Sequence, residues 1–91
     1  MLVDRRMGAA QWSDLGGFLQ TFLLLLHDQG VATCPQEAWS AHHDLVVEAV
    51  GAPPELMVFC GIAIGHADEA APVNGWVAER APLQEWASFH D

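Results

Sequence analysis

Apolar residues are most concentrated in residues 14–29, where their spacing predicts an α-helix. One face holds the residues that recur three and four positions apart, namely Leu15, Phe18, Leu19, Phe22, Leu23 and Leu26. Leu24 and Leu25 carry apolar surface to a second face. We expect Ser13 to cap the start and Gly30 to end the helix in a left-handed conformation. Packing within the chain accounts for one face, so the second face favours a subunit interface.

A loop and a shorter helix are predicted after this first helix. Residues 31–37 are expected to form a loop, because Pro35 lacks an amide donor and restricts the residue before it. Residues 41–50 are expected to be helical, with Ser40 as the cap and Gly51 as the stop.

Residues 56–64 form a continuous apolar stretch, which predicts one strand buried on both faces. The chain contains no second run of comparable quality. The partners of this strand are therefore expected to come from another polypeptide or from a missing part of the protein.

The chain from His66 onward is rich in proline and small residues, with large aromatic side chains at Trp76, Trp86 and Phe89. Aromatic residues spread this widely cannot build a core of their own. This segment predicts an extended arm that lies on another surface.

Composition strengthens the expectation of missing contacts. The chain has 91 residues, of which 52% are hydrophobic and 16% charged, and so small a domain has too little interior for that apolar content. The formal net charge is −9, with three arginines and no lysine, which argues against nucleic-acid and anionic-membrane partners. The apolar run is also shorter than the ~20 residues that span a bilayer.

The two cysteines, Cys34 and Cys60, form no CxxC motif and predict reduced thiols in a cytoplasmic protein. An exported lipoprotein is the alternative, since the arginine pair near the start, the apolar run and Cys34 imitate such a signal. The polar residues between the apolar run and Cys34 argue against that alternative.

The sequence predicts no metal site and assigns no catalytic residue. His42 and His43 are adjacent and would point about 100° apart on a helix, and the chain lacks the HExxH motif. It also lacks a GxSxG element, a GxGxxG fingerprint and a Walker loop.

Five segments keep a characteristic order and spacing: QWSDLGGFLQ (11–20), GVATCPQEAW (30–39), GIAIGHAD (61–68), APVN (71–74) and ERAPL (79–83). Together they resemble the C-terminal half of the nitroreductase family of FMN-dependent oxidoreductases, over about residues 7–90. The resemblance implies an α+β homodimer with a long interface helix, a short helix, one buried strand and an extended C-terminal arm around the partner.

The resemblance also implies a cofactor site. Pro35, Gln36, Glu37 and Ala38 match the family loop against the flavin ring, where a main-chain amide donates to the reactive nitrogen. A turn between two helices is the alternative. Arg80 matches the arginine that holds the FMN phosphate, the alternative being a surface ion pair with Glu79 or Glu85.

Three positions depart from the family pattern. Val77 and Ala78 stand where a second basic residue is frequent, and Ala38 stands where glycine is frequent. The arginine and serine cluster of the family's N-terminal half has no match in this chain.

The implied function is electron transfer from NAD(P)H through FMN to a nitroaromatic or quinone-type acceptor. Residues 1–91 are expected to be one incomplete domain, the C-terminal part of a nitroreductase-like domain, which pairs as a homodimer or with a missing N-terminal half and is inactive alone. A non-enzymatic dimeric remnant without flavin is the alternative. The sequence does not distinguish NADH from NADPH or identify the acceptor.

Overall fold

The structure, a computed structural model, describes residues 1–90 and has the predicted α+β class. Two helices and four short strands follow one another along the described residues: β1 Leu2–Asp4, α1 Ala10–Asp28, β2 Ala32–Gln36, α2 His43–Val50, β3 Leu56–Val58 and β4 Gly61–Gly65. Single 3₁₀ turns lie at Glu37–His42, Pro72–Gly75 and Leu83–Glu85.

Helix α1 begins at Ala10 rather than at Asp14, so the predicted Ser13 cap is wrong. Ala9 is the residue before the first turn, and no side chain caps the helix. Good helix formers extend the helix in this direction, and the amide of Gln11 starts it by donating to the carbonyl of Gly8 at 3.2 Å. The predicted end is confirmed, since Gly30 has a φ of +72°.

The apolar surface of α1 is largely uncovered by the rest of the described chain. Phe18, Leu24 and Leu25 are 61%, 58% and 62% exposed. Leu25 lies beside Phe18, which differs from the expected second face, whereas Leu24 lies about 120° around the helix axis from Phe18. Packing within residues 1–90 therefore does not use either face fully.

The predicted loop over residues 31–37 is wrong, because Ala32–Gln36 forms strand β2. It pairs antiparallel with β4, with Ala32 opposite Gly65 and Gln36 opposite Gly61. Pro35 fits in this strand because a two-stranded sheet leaves part of the backbone amides without a strand partner.

The predicted single strand over residues 56–64 is also wrong, since β3 and β4 are separate strands. Strand β3 pairs antiparallel with β1, with Leu2 opposite Val58, whereas β4 pairs with β2. The prediction that partners must come from another polypeptide or from a missing part of the protein is therefore corrected. At the break, the Phe59 ring stacks on Trp12 at the start of α1, with centroids 5.9 Å apart.

Helix α2 begins at His43, two residues later than predicted, and ends at Val50 as predicted. Ser40 lies inside the preceding 3₁₀ turn and caps nothing, so that prediction is wrong. Gly51 ends the helix with a φ of +62°, a left-handed conformation that favours glycine.

The buried core is very small. Among residues 1–90, only Val58 and Cys60 are buried hydrophobic side chains. The Cα radius of gyration is 16.8 Å, against the ~12 Å expected for a compact domain of this length. The aromatic residues after β4 contribute to this extension, since Trp76 is 75% and Phe89 81% exposed. The predicted extended arm is therefore confirmed.

Candidate functional site

The four residues assigned to the flavin ring by resemblance, Pro35, Gln36, Glu37 and Ala38, are called the 35–38 segment below. They run from the end of β2 into the Glu37–His42 turn, and all four are exposed. The alternative for this segment, a turn between two helices, describes it only partly, because the turn follows a strand.

The 35–38 segment has a cleft on each side. Pro35 and Glu37 line a cleft of about 340 Å³ together with Leu19 of α1 and with Phe59 and Cys60. The intervening residues line a second cleft of about 370 Å³, whose walls are Gln36, Ala38, Trp39 and His42. This alternation follows from the extended backbone of Gln36, whose φ is −132° and ψ is 95°. A flat group could approach the segment from either side.

The backbone amides at the start of the turn are available as donors. The first amides of a helical turn have no acceptor within that turn, and in this turn those amides belong to Glu37 and Ala38. Within residues 1–90, neither of these two amides donates to a main-chain carbonyl outside the helices and strands. The segment therefore offers neutral donors at an exposed position.

The Trp39 side chain folds back onto Gln36 of the segment and onto Gly61 of β4. Its Nε1 donates to Oε1 of Gln36 at 2.9 Å, and its ring lies on the backbone of Gly61. Sequence reasoning did not identify Trp39 as a functional residue. A glycine inside a strand often marks a close approach of another group, so Gly61 was the signal that could have found this contact.

Arg80 is exposed, and within residues 1–90 its guanidinium bonds only to the main-chain carbonyls of the two residues before it. Its Nη1 donates to the carbonyls of Ala78 and Glu79, both at 3.1 Å. The ion pair with Glu79 or Glu85 considered above does not form in the described residues. Arg80 lines neither cleft beside the 35–38 segment. These two parts of the predicted site are therefore not brought together in this chain.

A polar cluster unnoticed at the sequence level joins α2 to the β1–β3 pair. The His43 ring accepts a hydrogen bond at Nδ1 from the Val58 amide at 3.3 Å. Its Nε2 lies 3.1 Å from Nη2 of Arg5, which also donates to the carbonyl of Leu56 at 3.0 Å. These contacts hold the start of α2 against β3 and against the residue that follows β1.

One strong electrostatic interaction occurs at the end of β1. Arg6 donates through its Nη2 to Oδ2 of Asp4 at 2.6 Å and through its Nε to Oδ1 at 3.0 Å. This bidentate hydrogen bonding, together with the Arg6 amide, lowers the pKa of Asp4 to about 2. Both side chains are at the surface, remote in sequence from the 35–38 segment.

Residues 1–90 contain no group of three or more histidine, cysteine or acidic side chains able to hold a metal ion. No helix in that range is both long and apolar enough to cross a bilayer.

Known proteins of similar sequence are nitroreductases. The Nitroreductase family model matches residues 2–66. A chloronitrobenzene nitroreductase of Comamonas testosteroni is 34% identical over 87 residues, which is 96% of this chain and 38% of that protein. A nitrobenzene nitroreductase of Ectopseudomonas oleovorans is 32% identical, with the same coverage.

Solved structures give the same result. The FMN and NADPH-dependent nitroreductase NfnB from Sphigopyxis sp. strain HMH superposes with a TM-score of 0.94 at 42% identity, covering 99% of this chain and 40% of that one. The FMN-dependent NfnB from Mycobacterium smegmatis, solved in complex with NADPH, gives a TM-score of 0.93 at 32% identity, with the same coverage.

Over nearly its whole described length, the chain thus shares its mixed α+β fold with these enzymes. The chain belongs to the nitroreductase family. It spans about 38% of the length of the curated relatives that it matches.

Proposed function

We propose that this chain supplies part of the flavin site of an FMN-dependent nitroreductase, which carries electrons from NAD(P)H to a nitroaromatic or quinone-type acceptor. The observation that carries this proposal is the match of 99% of the chain, at a TM-score of 0.94, to an FMN and NADPH-dependent nitroreductase. FMN, when bound, would accept a hydride and pass electrons to the acceptor. The residues of this chain would bind and orient it.

The 35–38 segment would lie against the flavin ring. The free amides of Glu37 and Ala38 are neutral donors at an exposed position, which suits a ring nitrogen that must accept a hydrogen bond without taking a proton from the protein. The apolar wall formed by Leu19 and Phe59 in the adjoining cleft suits a flat aromatic group.

Arg80 would hold the FMN phosphate. Its guanidinium donates only to nearby main-chain carbonyls and pairs with no carboxylate in residues 1–90, so it is free to form charge-assisted bonds with a phosphate. One guanidinium compensates only part of a phosphate's charge. The remaining contacts would have to come from residues outside this chain or from a second copy of it.

The domain would be completed by association, and residues 1–91 would form the C-terminal part of a nitroreductase-like domain. The uncovered faces of α1 and the exposed arm support association with a second copy as a homodimer or with a polypeptide equivalent to the N-terminal half of the relatives. Without that partner the chain would be inactive. The free thiols of Cys34 and Cys60 agree with a cytoplasmic location.

Flavin binding by the purified chain tests this function directly. Titration with FMN should quench flavin fluorescence, and flavin should co-elute with the protein in gel filtration. Arg80→Ala should weaken binding by ~10-fold or more, the range for losing one charge-assisted bond. Arg6→Ala removes the same charge from a surface pair and should leave binding within about twofold. A chain that retains no FMN after gel filtration, both alone and after mixing with a polypeptide equivalent to the N-terminal half of a relative, would overturn the proposal.

A dimeric remnant that binds no flavin is the second candidate function. The exposed apolar residues of α1 favour it, because they support association whether or not flavin is present. A stable dimer by light scattering, together with no flavin absorbance after incubation with FMN, would establish this function in place of the first.

A further inference from the structure

We propose that Trp39 is a positioning residue for the flavin-facing 35–38 segment, fixing its conformation by seating the indole on Gly61 and by bonding Gln36. The inference rests on the proposed function, because the segment matters chemically only if it contacts the flavin. Trp39 itself is not assigned a contact with the cofactor.

The seat for the indole is the bare backbone of Gly61. A Cβ at this position would collide with Cδ1 of Trp39 and would lie 2.8 Å from its Nε1 and 2.9 Å from its Cγ. Real Cβ atoms do not approach ring atoms this closely, so any side chain at position 61 must displace the ring. A Cβ at Gly65, in the same strand, would meet nothing within 4 Å. The close approach is therefore specific to Gly61.

The second anchor is a side-chain hydrogen bond across the turn. Trp39 Nε1 is the only donor of the indole, and it donates to Oε1 of Gln36 at 2.9 Å. This bond also engages the amide oxygen of Gln36. Its Nε2 amide group keeps two donors, so the segment can offer a ligand these donors as well as the main-chain amides of Glu37 and Ala38.

The two contacts of Trp39 involve residues that lie opposite each other in the β2–β4 pairing. Gln36 lies opposite Gly61 in the antiparallel register, and Trp39 returns over the same Gly61 three residues later. Glu37 and Ala38 lie between these two fixed points. The orientation of their amides is consequently set by the indole, although the ring is 48% exposed and has little core around it.

The test compares two alanine substitutions in one strand. Gly61→Ala forces the indole off its seat, whereas Gly65→Ala adds the same methyl group in open space. Gly61→Ala should weaken FMN binding by ~10-fold and Gly65→Ala by less than about twofold, because misplacing a positioned donor costs roughly one hydrogen bond to the ligand. Equal affinities for the two variants would overturn the inference.

If Gly61→Ala fails to fold, a milder variant tests the same contact. Trp39→Phe keeps an aromatic ring but removes the Nε1 donor, and it should weaken FMN binding by ~3-fold to 10-fold, the range for one hydrogen bond. The double variant Gly61→Ala with Trp39→Ala should lose less than the sum of its single changes, because the clash needs both groups. Additive losses would contradict the proposed contact.

A readout without flavin separates this inference from the proposed function. In the free protein, the amide resonances of Glu37 and Ala38 should shift in heteronuclear NMR spectra with Gly61→Ala and remain unchanged with Gly65→Ala. If these shifts occur but no variant binds FMN, the proposed function fails while the positioning geometry stands. If wild type binds FMN and the shifts are absent, positioning by Trp39 is overturned and the function stands.

Discussion

At the scale of single residues, two contacts of the His43 ring compete with one another. A neutral imidazole has one acceptor nitrogen, yet both nitrogens of His43 face donors, the Val58 amide and the Arg5 guanidinium. Only one of the two contacts can be a hydrogen bond at a time. Arg5 contacts the end of the β1–β3 pairing in two further ways, by its main-chain bond to the Glu55 carbonyl at 2.9 Å and by its side-chain bond to the Leu56 carbonyl.

The Asp4–Arg6 pair predicts a change in stability at acid pH. Because Arg6 lowers the pKa of Asp4 from 3.8 to about 2, the pair contributes stability above pH 3.8 that is lost as the pH falls toward about 2. Asp4→Asn should therefore lower Tm slightly at about pH 6 and make a much smaller difference near pH 2.

Thermal unfolding followed by circular dichroism at both pH values measures this effect. Arg6→Ala is the matched variant, since it removes the other half of the same pair and should give the same pH dependence. Added salt should reduce the difference at neutral pH, because both side chains are at the surface. A destabilisation by Asp4→Asn that persists unchanged at about pH 2 would assign its effect to something other than this pair.

At the scale of elements, glycines define where both helices end. Gly30 has a φ of +72° and its amide donates to the carbonyl of His27 at 2.9 Å, while the amide of Val31 donates to that of Leu26 at 2.9 Å. These bonds use carbonyls that the helix leaves without partners. Gly16, in contrast, lies inside α1, where an added Cβ would meet nothing within 4 Å.

The same substitution at these two glycines should have opposite effects. Gly30→Ala places a Cβ in a left-handed conformation and should destabilise the chain by about 1 kcal/mol. Gly16→Ala should stabilise it by about 0.5–1 kcal/mol, because alanine loses less backbone freedom in a helix than glycine does. Urea unfolding of the two variants beside wild type gives both free energies. Changes of the same sign would contradict the assigned roles.

Local signals predicted the existence of the two helices and their C-terminal ends well, but their starts and the strands poorly. The end of a helix at Gly30 or Gly51 depends on the preference of one residue, which is visible in sequence. Strand pairing joins residues far apart, such as Leu2 and Val58, and leaves no local mark. Three-residue strands and a strand containing Pro35 are below what periodicity can detect.

The candidate site was predictable only in part. Its backbone segment, Pro35 to Ala38, and Arg80 were identified by resemblance to a family rather than by any pattern of charge or spacing. Trp39 escaped attention because an aromatic residue after a proline-containing stretch has no characteristic signal. Its role emerges from the cross-strand neighbour Gly61, a contact that exists only once β2 and β4 are paired.

At the scale of the whole molecule, the described chain has more apolar surface than core. Val58 and Cys60 are its only buried hydrophobic side chains within residues 1–90, while Leu25 and Trp86 are 62% and 69% exposed. Burial of apolar area is the main source of folding free energy, at about 25 cal/mol per Å². Association that covers α1 would add the area that the chain itself does not bury.

A charged residue on the exposed face of α1 should therefore weaken association. Leu25→Glu would place a carboxylate in an apolar interface and should raise the dissociation constant of the dimer by ~10-fold or more, which corresponds to at least about 1.4 kcal/mol. Gln20→Glu is the matched control, since it adds the same charge to an exposed position of α1 about 140° around the helix axis from Leu25. Sedimentation equilibrium of both variants compares their dissociation constants. Equal weakening would show that the effect is not specific to the Leu25 side, since Gln20 lies about 40° from the exposed Leu24, and no weakening by Leu25→Glu would exclude the Leu25 side from the interface.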